Sequence, residues 1–224
     1  MAQSPSQGLD VFDVSDFDTP SGLARAHVRS VARPSALLVL GHGAGGGVGA
    51  RDLVAVSEVA LACEVSVALV EQPYRVAGKR SPAPARSLDA AWVAVVSAVR
   101  VGEFDGLPVI VGGRSAGARV ACRTWSEVGA AGVLCLAFPL VPPGRDGTKS
   151  RLPELDAVRV PMLIVQGERD PFGMPPARRG RSVVAVTGDH SLRTDLDGVR
   201  AAARPWLRRV LARAARAPAP ASGS

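Results

Sequence analysis

Ser115 lies at the centre of the sequence Gly113-Arg-Ser-Ala-Gly117, between a short apolar run and a segment of helical character. Glycines two residues before and after a serine are typical of a tight strand-to-helix turn, because only small side chains fit beside its strained backbone. Such a turn holds the hydroxyl above the sheet, at the positive end of a helix. The spacing therefore predicts a nucleophilic serine, provided that a base and an orienting acid lie within reach.

The base and the acid come from a small set of residues, since the chain has only three histidines. His190 follows the last predicted strand, and Asp170 follows the strand before it, in a turn that also contains Glu168 as the reserve acid. The carboxyl ends of parallel strands meet at one edge of a sheet. We therefore expect Ser115, Asp170 and His190 to form a triad of nucleophile, acid and base.

A serine nucleophile also needs amide donors where negative charge develops on the substrate oxygen. The backbone amide of Ala116 is one predicted donor, since it follows the serine directly. The second is expected from the glycine-rich loop of residues 41–47, at Gly43 or Ala44. His42, in the same loop, is expected to hold the loop by hydrogen bonds.

The same glycine-rich loop allows a different interpretation. Gly41, Gly43 and Gly46 match the Gly-x-Gly-x-x-Gly pattern of dinucleotide-binding folds, and Glu71 closes the next strand. The glycine run is longer than that pattern, however, and an NAD(P) site would leave the serine, acid and histidine unexplained. The sequence contains no phosphate-binding P-loop and no cysteine or histidine spacing typical of a metal site, so we expect no cofactor and no metal.

Short apolar runs alternate with helical segments, which predicts an α/β protein with a mostly parallel central sheet and helices on both faces. The predicted buried strands are residues 36–40, 65–70, 108–111, 132–137, 162–165 and 182–186, with 23–31 as an edge strand. The predicted helices are residues 52–62, 87–101 with a serine cap, 115–128 and 199–213, the last kinked or restarted at Pro205. We expect an acidic, partly ordered segment at 1–20, one domain at 21–214 and a disordered tail at 215–224.

The net charge of +7 at first favours nucleic acid or an anionic membrane as a partner. Residues 178–216 hold ten arginines against three aspartates, so this segment carries the whole excess. Because few aromatic residues accompany these arginines, we expect no nucleic-acid partner. No apolar run reaches about 18 residues, so no membrane span is expected. The first nine residues lack the pattern of a signal peptide, and three widely spaced cysteines are typical of a reducing compartment, which predicts a cytoplasmic protein.

Five stretches of the sequence together resemble a known group of proteins. These are GHGAGGG at 41–47, GGRSAGAR at 112–119, CLAFPLVPPGR at 135–145, VQGERDPFG at 165–173 and GDHS at 188–191. They are similar to the dienelactone-hydrolase-like branch of the α/β-hydrolase superfamily. Within it, they most resemble a small hydrolase-like family that includes the α/β domain of a histone-acetyltransferase complex subunit.

The resemblance implies the α/β-hydrolase fold over residues 23–211, with Ser115, Asp170 and His190 as the triad and Ala44 and Ala116 at the oxyanion hole. Val141 stands where the family often has a histidine, which puts a substrate role at that position in doubt. Some relatives are thought to act as scaffolds, so a non-catalytic binding protein with this fold is the alternative to a serine hydrolase of carboxylic esters or related acyl compounds.

The site is predicted to be shallow, because residues 138–159 are too few to build a helical cap domain. We expect it to admit small or surface-presented acyl groups, with Tyr74, Phe138 and Phe172 as walls. Arg114, next to the nucleophile, either binds a substrate carboxylate or pairs with an acidic residue of the protein. The expected ligand is a small ester or acyl compound, and the sequence leaves monomer and homodimer open.

Overall fold

The computed structural model describes residues 12–142 and 150–216. Its sheet has eight strands in the order β1-β2-β4-β3-β5-β6-β7-β8. The strands are β1 (Asp13–Thr19), β2 (Gly22–Arg29), β3 (Ala36–Gly41), β4 (Val65–Glu71), β5 (Val109–Arg114), β6 (Gly132–Leu136), β7 (Met162–Gly167) and β8 (Arg181–Val186). The helices are α1 (Arg51–Leu61), α2 (Pro73–Val76), α3 (Ala85–Arg100), α4 (Ala116–Thr124), α5 (Leu152–Asp156) and α6 (Leu196–Ala214).

The strands from β3 to β8 pair in parallel, whereas β1 and β2 are antiparallel additions at one edge. The predicted fold class, α/β with a mostly parallel sheet, is confirmed. Since the parallel strands share a direction, the loops after β3, β5, β7 and β8 emerge at the same edge of the sheet. Those loops carry the residues that the sequence analysis selected.

Two helical layers cover the sheet and bury its central strands, β3 to β7, on both faces. Successive residues of β3 enter different halves of the core, because side chains alternate along a strand. Leu37 packs with α3 and α4 on one face, and Leu38 packs with α1 and α6 on the other. Trp92 of α3 and Trp206 of α6 lie against opposite faces. Burial on both faces explains the uninterrupted apolar runs of these strands.

The edge of the sheet differs from the prediction. Residues 13–19, assigned to an acidic segment outside the domain, form β1 and pair along their whole length with β2, so the predicted boundary at residue 21 is wrong. The predicted edge strand is therefore the second strand. Most β1 side chains are exposed, and Phe17 is the β1 residue that packs on the core. The strand therefore has no apolar run by which the sequence could predict it.

The helices differ from the prediction mainly at their ends. Helix α3 begins at Ala85 after Pro84 and has no side-chain cap, so the predicted serine cap is wrong. Helix α6 begins earlier than predicted, where Asp195 accepts a hydrogen bond from the Gly198 amide, and it continues through Pro205. The short helices α2 and α5 were not predicted. Most of the predicted tail, residues 217–224, lies outside the described residues.

In the part of the chain that the structure describes, no helix is both long and apolar enough to cross a membrane.

Candidate active site

Ser115 occupies the turn between β5 and α4 with φ 52° and ψ −104°, a strained conformation for a residue with a side chain. The glycines on either side are required by the close approach of β3. A Cβ at Gly113 or Gly117 would overlap the carbonyl oxygen of Gly41. The spacing recognised in the sequence therefore reflects a contact between two neighbouring strand ends.

The structure brings Ser115, His190 and Asp170 into one hydrogen-bonded chain. His190 Nε2 lies 2.9 Å from Ser115 Oγ, and His190 Nδ1 lies 2.8 Å from Asp170 Oδ2. Because a carboxylate only accepts hydrogen bonds, Nδ1 carries the proton and Nε2 can accept from the serine hydroxyl. The Asp170 carboxylate is 1% exposed, whereas Glu168, the reserve acid, is an exposed residue outside this chain of bonds.

Asp170 is held by a residue that the sequence analysis missed. Gln166, fully buried near the end of β7, has its Nε2 2.8 Å from Asp170 Oδ2, 3.1 Å from the Phe138 carbonyl and 3.0 Å from the Gly173 carbonyl. The Phe172 amide donates to Asp170 Oδ1 at 2.9 Å. The sequence does indicate such a role, because Gln166 is a polar residue near the end of the otherwise apolar strand β7. A buried amide group must find hydrogen-bond partners.

Phe172 contributes both to the triad and to the wall of the site. Its ring meets the His190 ring edge to face at a centroid distance of 4.4 Å, which restricts the imidazole to one orientation. It also lines a cavity of about 310 Å³ together with Ser115, Ala116 and Ala44. Phe172 thus lines the cavity beside the serine, and its contact with substrate stays a prediction.

The two predicted amide donors lie at this cavity. Ala116 is the first residue of α4, so its amide has no acceptor within the helix. Gly43 lies against the nucleophile, since a Cβ there would stand 3.6 Å from the Ser115 Cβ. The neighbouring Ala44 lines the cavity, and its carbonyl accepts a 3.0 Å hydrogen bond from the Tyr74 hydroxyl.

His42 fixes the loop that carries Gly43 and Ala44. Its Nε2 accepts from the Gln72 amide at 3.1 Å, so its Nδ1 donates to the Gly43 carbonyl at 2.8 Å. Burial lowers the pKa of His42, which keeps the ring neutral and able to accept. These bonds match the structural role expected for this histidine.

Two predicted wall residues occupy other places. Phe138 is fully buried in the core, and it is the next residue, Pro139, that lines the cavity. Tyr74 is 7% exposed and lines an adjoining cleft that shares Pro82, Ala83 and Leu88 with this cavity, and its hydroxyl supports the Ala44 loop. The prediction of Phe138 as a wall is therefore wrong, because packing directs its side chain into the core, whereas a substrate contact of Tyr74 stays a prediction.

Arg114 also differs from its predicted contact with substrate. Its Nε lies 3.0 Å from Oδ2 of Asp52, an ion pair that is not aligned as a hydrogen bond, and its Nη2 donates to the His190 carbonyl at 2.8 Å. The structure shows the other predicted interaction of Arg114, a pair with an acidic residue of the protein. Arg114 thereby ties the start of α1 to the loop that carries His190.

Replacing Arg114 with Gln is expected to destabilise the protein by about 2 kcal/mol at pH 7, because Asp52 is 1% exposed and would lose its counter-charge. Burial already raises the pKa of Asp52 despite the opposing effect of Arg114. Without Arg114 this pKa rises further, so the folded state holds a proton that the unfolded state has released. The deficit should therefore grow as the pH rises through the raised pKa of Asp52 in the wild-type protein, and it should shrink towards acid pH, where this carboxyl is protonated in both folded proteins. Urea unfolding of both proteins from pH 4 to 8 measures this dependence, and a constant deficit would contradict it.

The glycines of the dinucleotide pattern make contacts within the protein. A Cβ at Gly41 would lie 3.3 Å from the Gly117 backbone, and one at Gly43 would lie 3.1 Å from the Arg114 guanidinium. These glycines therefore allow the β3 loop to pack on the serine turn. Among residues 12–142 and 150–216, no cluster of three His, Cys, Asp or Glu side chains could hold a metal ion.

Comparison with known families identifies the fold. Residues 34–202 match the model of an alpha/beta hydrolase domain, which is most of the chain. The chain belongs to the α/β-hydrolase family. This confirms the superfamily inferred from the five sequence motifs.

Several solved structures share the α/β-hydrolase fold of this chain. One is a serine hydrolase without lid from Xanthomonas campestris, at 17% identity and a TM-score of 0.70, with 89% of this chain and 95% of that chain covered. Est1E from Butyrivibrio proteoclasticus is 15% identical with a TM-score of 0.70, over 89% and 99% of the two chains. Dienelactone hydrolase from Anabaena variabilis is 14% identical with a TM-score of 0.69, over 88% and 97%. No curated protein matches the sequence significantly.

Proposed function

We propose that this α/β hydrolase is a serine hydrolase that cleaves carboxylic esters or related acyl compounds. The observation that carries the proposal is the continuous chain of hydrogen bonds from Ser115 through His190 to Asp170. The serine end of this chain faces a cavity that Ala44 and Ala116 also line. A nucleophile, a base, an orienting acid and amide donors are the parts that acyl transfer requires.

Each of these residues has a defined step in the proposed reaction. Ser115 Oγ attacks the ester carbonyl while its proton passes to His190 Nε2, and Asp170 stabilises the imidazolium through the Nδ1 proton. The amides of Ala116 and Ala44 or Gly43 donate to the oxyanion. His190 then returns the proton to the departing alcohol oxygen. A water molecule then attacks the acyl-enzyme carbonyl while its proton passes to His190 Nε2. His190 returns this proton to Ser115 Oγ, which releases the acid and restores the serine hydroxyl.

The choice of an ester substrate is supported by proteins of the same fold. Est1E has been solved with ferulic acid bound, and dienelactone hydrolase takes its name from the hydrolysis of a lactone, a cyclic ester. The serine hydrolase from Xanthomonas campestris lacks a lid. In the present chain, α5 is the helix described between β6 and β7, and it has five residues. We infer an open site that takes small acyl groups.

Labelling with a fluorophosphonate tests the proposed function, because this reagent forms a covalent bond with an activated serine. The wild-type protein is expected to label, and Ser115→Ala is expected not to label. Ser126→Ala, which changes an exposed serine beyond the end of α4, is the matched control and should label fully. An unlabelled wild-type protein with a cooperative unfolding transition would contradict the proposal and favour a non-catalytic binding protein.

We further propose a cytoplasmic location, which rests on the cysteines. Three cysteines are free, and Cys122 and Cys135 lie in the core with their sulfur atoms 3.5 Å apart as thiols. Unpaired thiols at this distance are typical of a reducing compartment.

A further inference from the structure

Three arginines also line the cavity. Arg119 and Arg123 follow Ser115 by four and eight residues, so their Cα atoms lie about 6 and 12 Å further along α4. Arg151 precedes α5 and contributes to the same lining. Each of the three residues is partly buried. The proposed reaction uses none of these positive charges.

Two of the arginines have carboxylate partners. Arg119 forms a bidentate pair with Glu154, with distances of 3.0 and 2.6 Å. Arg123 forms a bidentate pair with Asp89, at 2.8 and 2.6 Å, and approaches Glu154 to 3.6 Å. Both carboxylates are thus already paired, and Glu154 is shared by two of the three guanidinium groups.

Arg151 is the third cation. Its Nη1 donates to the Pro139 carbonyl at 3.0 Å, and among the described residues no carboxylate lies within 4.0 Å of its guanidinium group. Counted over the described residues alone, the local cluster thus holds three positive and two negative charges. Burial and the neighbouring Arg119 lower the pKa of Arg151, and Glu154 opposes this effect only in part. An anion in the cavity would supply the missing charge.

We propose that the cavity selects substrates whose acyl group ends in a carboxylate, and that Arg151 binds this carboxylate with help from Arg119. This inference rests on the proposed function. It assigns the substrate class as half-esters of short dicarboxylic acids, with the ester carbonyl at Ser115. Pro139 and Phe172 offer apolar contacts to the methylene groups between the two ends. A neutral acyl group leaves the guanidinium charge uncompensated and binds less well.

A pair of esters of equal chain length tests the inference. Mono-p-nitrophenyl glutarate carries a free carboxylate, and p-nitrophenyl pentanoate carries a methyl group at the same position. We expect the wild-type protein to have a kcat/KM about 10- to 100-fold higher for the glutarate, as a charge-assisted hydrogen bond implies. Arg151→Gln should reduce this ratio to about 1. Arg151→Lys, which keeps the charge but loses the planar fork, should retain part of it.

Arg208→Gln is the matched control, because it removes an exposed arginine of α6 and should leave the ratio unchanged. If the wild-type protein shows no preference, or if the preference survives Arg151→Gln, the inference is wrong although the hydrolase function stands. If neither ester is hydrolysed and Ser115 does not label, the hydrolase function fails. Thermal unfolding with glutarate then decides the anion site separately: we expect a higher Tm for the wild-type protein and no shift for Arg151→Gln. No shift in either protein would overturn the site.

Discussion

Asp170→Asn is expected to lower the kcat of ester hydrolysis about 10⁴-fold, with little change in the overall fold. An asparagine amide can donate to His190 Nδ1, which moves the imidazole proton to Nε2, where it can no longer accept from Ser115. The loss has a second cause in this site. Both oxygens of Asp170 accept hydrogen bonds, one from Phe172 and one from Gln166, and an asparagine can satisfy only one of these donors.

The control for this substitution is Glu168→Gln, which removes the other acid of the same turn. Because Glu168 is exposed and makes no bond to His190, kcat is expected to stay within about twofold of the wild-type value. Steady-state hydrolysis of p-nitrophenyl esters by the two variants measures the difference. Equal losses of kcat in both variants would show that Asp170 is not the only acid that orients His190.

Gly117→Ala is expected to destabilise the protein by more than about 3 kcal/mol, an overpacking cost at the upper end of the usual range. The added Cβ would overlap the Gly41 carbonyl and stand 2.9 Å from the His42 carbonyl oxygen. Both obstacles are backbone atoms at the end of β3, which is fixed in the centre of the sheet. They can move only if the sheet or α4 moves with them.

Thermal and urea unfolding measure this effect, with a fall in Tm of about 6–12 °C expected for a protein of this size. Gly47→Ala is the matched control from the glycine-rich loop, since a Cβ there meets no atom within 4 Å. If Gly117→Ala had wild-type stability, the turn would be able to adjust without moving β3. The requirement for glycine at this position would then have another origin.

The sequence determined much of this site because the decisive constraints are local. The strained turn needs its serine between two glycines. Asp170 and His190 lie directly after predicted strands, so recognising β7 and β8 was enough to place them at the right edge of the sheet. The parallel strands were recognisable because burial on both faces demands continuous apolar runs.

Only the tertiary structure decided which partners the polar side chains meet. Arg114 pairs with Asp52, which is 62 positions earlier in the chain, and Gln166 supports Asp170 because the chain folds back on itself after β7. Strand β1 is held by β2 and by a single apolar contact rather than by an apolar run. Sequence patterns report how each segment is buried, whereas the partner of a polar group depends on which segments the fold brings together.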